Sequence, residues 1–124
     1  MKNKSRNSTT ISNYLRHKNK SNEAFEHMVN ALTIEELLAL KIELATKTSN
    51  TPLVFMPLFK NCNHIIRECL GLVAVIMAGN IQGAAEILGI SNTRMEAIAR
   101  KYSILEKVNY YNAVANDDKN DFFN

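Results

Sequence analysis

Histidine, cysteine and paired glutamates are the side chains here with the most reactive chemistry, and their spacing decides whether they can act together. His17, His27 and His64 are scattered along the chain. Cys62 and His64 stand close together near a helix start but lack the CxxC or HxxxH partner that completes a zinc site. Cys62 and Cys69 are separated by two helical turns on one face, so they form neither a redox pair nor a disulfide framework, and they are expected as reduced, buried thiols of a cytosolic protein. Glu23 with Glu26, and Glu35 with Glu36, fall on expected helix surfaces or caps with no accompanying nucleophile. No phosphate-binding glycine loop, GxSxG elbow or Cys–His dyad occurs. These patterns lead to an expectation of no metal, no cofactor and no enzymatic activity.

The elements that must position any site come from 124 residues, the length of one domain. Apolar residues make up 46% and charged residues 22%, a globular balance. Asn occurs 16 times, which together with abundant Lys and Ile hints at an AT-rich genome. The net charge of +3 hides a segregation. Residues 1–20 carry Lys2, Lys4, Arg6, Arg16, Lys18 and Lys20 with no acid, for +6, and the remainder of the chain sums to −3. Only Ile11, Tyr14 and Leu15 offer substantial apolar surface in that basic stretch, so it reads as a disordered N-terminal arm. No apolar segment there suits a secretion signal, and the longest apolar run, Cys69–Ala78, is ten residues, too short to span a membrane.

Every strong periodicity after residue 20 is helical, so the expected class is all-α. A short helix begins near Asn22, with Phe25, Met28, Val29 and Leu32 on one face. Thr33 and Glu36 form a capping box that starts a second, whose stripe is Ile34, Leu37, Leu38, Leu44 and Ala45. Residues 53–59 are apolar but contain Pro57, and are expected as a buried connector or the first turn of a helix. From about Cys62 to Ala78 the pattern is apolar nearly all round, so that helix must be covered on most sides. A domain this small has few elements to cover it, and burial against a second copy of the chain is expected. Gly71 inside the helix costs about 1 kcal/mol relative to Ala, which points to close approach of another helix. Residues 113–124 read as an acidic frayed tail, leaving 21–112 as the helical core.

The most specific pattern runs from Ile81 to Arg100. Counting from Ile81, small Ala85 falls fifth and Gly89 ninth, while Ala84, Leu88, Ile90, Met95 and Ile98 fill the apolar fourth, eighth, tenth, fifteenth and eighteenth places. This is the helix-turn-helix template: Ala85 lets the second helix cross, Gly89 takes the left-handed turn, and the apolar set packs the pair. Asn80 and Ser91 are suited to cap the two helices.

From Ala78 to Tyr102 the chain resembles the C-terminal helix-turn-helix of the Fis family, which also ends the NtrC-type bacterial enhancer-binding regulators. The likeness covers Gly79–Asn80, Ala84–Ala85, Leu88–Gly89–Ile90 and Arg100–Lys101–Tyr102 without a gap; upstream of residue 64 it is architectural only. It implies an intertwined homodimer, of bacterial or phage origin, that places two second helices in adjacent major grooves of double-stranded DNA. Ser91, Asn92, Thr93 and Arg94 would read bases, the Asn92 amide suiting adenine and the Arg94 fork guanine. Arg100 and Lys101, with Asn80 and Gln82, would contact phosphates. Glu96 and Ala97 depart from the family, whose residues there are usually basic, and the arm is expected to supply the missing attraction. The function implied is a transcription regulator or nucleoid-architectural factor, cytoplasmic and nucleoid-associated. The alternative is an interaction module that keeps the helix-turn-helix as a scaffold and docks on a polymerase subunit or replication factor, a reading that Glu96, Ala97 and the acidic end favour.

Overall fold

A computed structural model describes residues 10–48 and 51–116, and every regular element among them is an α-helix, in agreement with the all-α expectation. The helices are α1 (Thr10–His17), α2 (Glu23–Asn30), α3 (Ile34–Thr48), α4 (Thr51–Ala78), α5 (Ile81–Leu88), α6 (Asn92–Lys101) and α7 (Ile104–Ala115). Where the sequence suggests a single core over 21–112, the contacts separate two compact units. Ser21–Ile65 form one; α1 and the chain from Ile66 onward form the other.

The second of these holds the core. Ala74 and Val75 from the end of α4, Ala84 and Ala85 from α5, Met95 and Ala99 from α6, and Ile104 from α7 form one buried cluster. Ile81, Leu88, Ile90, Ile98, Tyr102 and Val108 pack around it. Small Ala84 and Ala85 on α5 let α6 approach closely, and Met95 and Ile104 fill the space with no exposed surface. Half-buried Lys107 on α7 pairs with Glu68 on α4, adding a polar tie at the edge of this cluster.

α1 corrects the expectation of a disordered arm over residues 1–20. Its residues Thr10–His17 are helical and pack along α7. Thr10 is 5% exposed and shares a cleft with Val75, Ile76, Val108 and Asn112, while Tyr14 stacks obliquely on Tyr110 and Tyr111 with ring centroids 5.8 and 4.5 Å away. The few apolar residues of the segment lie at helical spacing, and α7 supplies the surface that the segment lacks on its own. Lys2, Lys4 and Arg6 lie outside the described residues, as do residues 117–124 of the expected frayed tail. The first residues of that tail, Ala113–Ala115, complete the last turn of α7.

In the unit Ser21–Ile65 the helix starts are set by local hydrogen bonds. The Asn22 side chain accepts from Phe25 N at 2.8 Å. Thr33 Oγ1 accepts from Glu36 N at 3.0 Å, and Glu36 Oε1 accepts from Thr33 N at 2.8 Å, closing the capping box. The apolar stripes of these helices stay in the open: Met28 is 70% and Ile34 73% exposed, and Phe25, Leu37, Leu38 and Leu44 are exposed as well.

Two expectations for α4 are corrected. It starts at Thr51 rather than near Cys62, so residues 53–59 are neither a connector nor only a first turn. Pro57 lies inside α4, in its second turn, and lacks the N–H that would have bonded four residues back. The Pro57 carbonyl also accepts from Asn61 Nδ2 at 3.0 Å, and Phe59 is 85% exposed rather than buried. Cys62 and Cys69 are free and exposed, because the core takes up the face of α4 bearing Gly71, Ala74 and Val75 and the cysteines lie off it.

Candidate nucleic-acid interface

The pair α5 and α6 is shaped by three local devices. The Asn80 side chain accepts from Gly83 N at 2.6 Å and caps α5. Gly89 ends α5 in the left-handed conformation, φ 71° and ψ 34°, which turns the chain within three residues. Ser91 Oγ then accepts from Arg94 N at 3.1 Å and caps α6. With Ala85 and Met95 buried against the core, α6 is held by one face and offers the other to solvent.

The side chains expected to recognise DNA are placed unevenly. Ser91, Asn92, Thr93 and Arg94 occupy the cap and first turn of α6, and all four are exposed. The Ser91 oxygen is engaged in the cap, as is the Asn80 oxygen on α5, which leaves the Ser91 hydroxyl hydrogen and the Asn80 amide hydrogens as outward donors. Gln82 is exposed in the first turn of α5.

Arg100 and Lys101, neighbours in sequence at the end of α6, face different clefts. Arg100 lines one of about 320 Å³ with Ile81, Glu96, Ala99, Leu105 and Glu106. Lys101 lines another, of about 190 Å³, with Arg94, Ala97, Ile98, Tyr102 and Arg67 of α4. The first contains two carboxylates and one guanidinium; the second has three cations and no acid. Successive residues of a helix are turned about 100° apart, and this rotation sorts the charges of α6 into a mixed side, with Glu96 and Arg100, and a basic side, with Arg94 and Lys101. Arg67 has no place in the sequence reading, since an Arg–Glu pair before an apolar run signals only a polar interruption.

The described basic residues of the arm, Arg16, Lys18 and Lys20, do not join α6. Arg16 lines a cleft with Asn13, His17, Asn19, Ala115 and Asn116 at the far end of α7, and exposed Lys18 and Lys20 follow it. Among the described residues no group of His, Cys, Asp and Glu side chains could hold a metal ion, and no helix is long and apolar enough to cross a membrane.

The fold defines the class of this protein as all-α. Compared with family models, curated proteins and solved structures, the chain matches none.

Proposed function

We propose that the chain binds double-stranded DNA as a homodimer, inserting α6 of an α5–α6 helix-turn-helix in the major groove, as a transcription regulator or nucleoid-architectural factor of a bacterial or phage system. The observation that carries this reading is the division of α6 into a locked and an open face. Met95 and Ala99 anchor it in the core, while Asn92, Thr93, Arg94 and Lys101 stand exposed on a helix whose direction is set by Gly89 and Ser91. A rigid helix with hydrogen-bonding side chains at its exposed start is what reading base edges requires. The resemblance to the Fis-family segment over Ala78–Tyr102 supports the same reading.

The dimer is supported by apolar surface that the single chain leaves open. On α4, Ile66, Leu70, Val73 and Met77 are 40–55% exposed and recur at spacings of three and four, a continuous seam for a second helix. The basic residues of the N-terminal segment add sequence-independent attraction to phosphates, in the cytoplasm and on the nucleoid.

The test is a fluorescence-anisotropy titration of the full chain with AT-rich duplex at several salt concentrations. Binding that weakens steeply with salt, and that Arg94→Ala weakens by roughly 1–3 kcal/mol on a preferred site, is the expected result. Absence of binding at low salt overturns it. The cleft that places Glu96 and Glu106 beside Arg100 favours a second reading, a protein-docking scaffold for the transcription or replication machinery, and that negative outcome would turn the search to such a partner.

A further inference from the structure

We infer that Arg67, on the long helix α4, and Lys101 grip a phosphate of the DNA backbone in the cleft they share with Arg94 beside α6, leaving the Arg94 guanidinium to reach a base edge. The inference rests on the DNA-binding reading and adds to it a residue and a docking direction. Three cations from two helices line a cleft of about 190 Å³ that contains no acid. Clustering like charges is unfavourable in the free protein, and an anion between them relieves the repulsion. The two carboxylates nearest in sequence are engaged elsewhere: Glu68, adjacent to Arg67, is paired with Lys107, and Glu96 on α6 lines the opposite cleft.

The floor of the cleft suits a backbone phosphate. Ala97 stands between Arg94 and Lys101 on α6 and contributes only a methyl group, so the space between the cations is not filled by a side chain. The guanidinium of Arg67 can donate two parallel hydrogen bonds to a phosphodiester's unbridged oxygens, and Lys101 adds a point charge held 5.5 Å over the Tyr102 ring. A phosphate here brings the duplex against the side of α6 that faces α4 and leaves Glu96 on the far side. This sidedness keeps the Glu96 carboxylate away from that phosphate.

The experiment compares the full-length chain with Arg67→Gln, Arg67→Lys and Lys41→Gln, titrated with AT-rich duplex across a salt series. Arg67 is exposed, and a thermal melt of each variant is to check that it folds. Arg67→Gln is expected to weaken binding about tenfold on every duplex sequence and to lower the slope of log affinity against log salt by about one per Arg67 engaged. Arg67→Lys keeps the slope, and Lys41→Gln, a cation on α3, sets the background. An Arg67→Gln slope equal to that of Lys41→Gln, with DNA binding still weakened by Arg94→Ala, overturns the phosphate cleft and leaves the DNA-binding reading standing. No salt-dependent binding by the intact chain overturns both.

Discussion

A Cβ placed on Gly71 of α4 would lie 2.8 Å from Cδ1 of Ile104, at the start of α7, and 3.3 Å from Cγ2 of Ile98. Ile104 is fully buried, so its side chain has little room to retreat. In an open helix Gly→Ala stabilises by roughly 1 kcal/mol, whereas overpacking a filled core costs about 1–3 kcal/mol. Gly71→Ala is therefore expected to lower stability by about 1 kcal/mol in denaturant unfolding. A rise in stability would mean that α4 and α7 are less tightly apposed.

Gly89 poses the opposite case. A Cβ there meets nothing within 4 Å, so the constraint is the left-handed backbone alone. Gly89→Ala should cost roughly 1–2 kcal/mol, and Gly89→Asn distinctly less, because Asn tolerates that conformation. Equal losses for the two variants, measured by chemical denaturation, would place the requirement in side-chain space rather than in backbone angle.

Tyr14 reports on the docking of α1. Burial raises its phenol above the usual value of 10.0, helped by a hydrogen bond with Tyr110 and by the nearness of the Tyr110 and Tyr111 phenols. The packed state thus holds the Tyr14 proton more tightly than the undocked chain does. Its contribution is fully present below about pH 10 and is lost as pH rises through the elevated value. A phenolate absorbance titration should show one tyrosine ionising late, and Tyr14→Phe should remove that late phase while keeping α1 docked. Tyr14→Ala should free α1, read as faster amide exchange over Thr10–His17.

The open seam of α4 predicts the oligomeric state. Leu70→Glu with Val73→Glu should convert a dimer to a monomer in analytical ultracentrifugation, since each buried carboxylate would be unpaired. Cys69, exposed next to Leu70, should give disulfide-linked dimers under mild oxidation of the natural chain. A dimer that persists in the double variant would place the seam on the exposed stripes of α2 and α3.

Removing residues 1–20 is not a clean test of electrostatics, because it strips α1 from α7 and bares Tyr110 and Tyr111. Replacing the exposed Lys18 and Lys20, which follow the helix, by Gln keeps the helix and removes two charges. The salt slope of DNA binding should fall by roughly 0.9 for each of these residues that contacts a phosphate, with melting temperature unchanged. An unaltered slope would assign the attraction to other cations.

The sequence alone determined the helical class and most of the devices that begin and end helices. Asn22, Thr33 with Glu36, Asn80, Gly89 and Ser91 act through atoms a few residues away, so their types and spacing carry the whole instruction. The placement of Ala85 and Met95 in the core was legible for the same reason, since helical periodicity fixes which side chains share a face. Tertiary structure decided the rest. It folded Thr10–His17 onto α7, where composition suggested a free arm, because Tyr110 and Tyr111 provide surface that no local window contains. It turned Cys62 and Cys69 outward, and carried α4 through Pro57. It brought Arg67 to Arg94 and Lys101 while turning Arg100 toward Glu96 and Glu106. Contacts between residues far apart in the chain depend on how whole helices cross, and that is settled by the packing of Gly71, Met95 and Ile104 together rather than by any one segment.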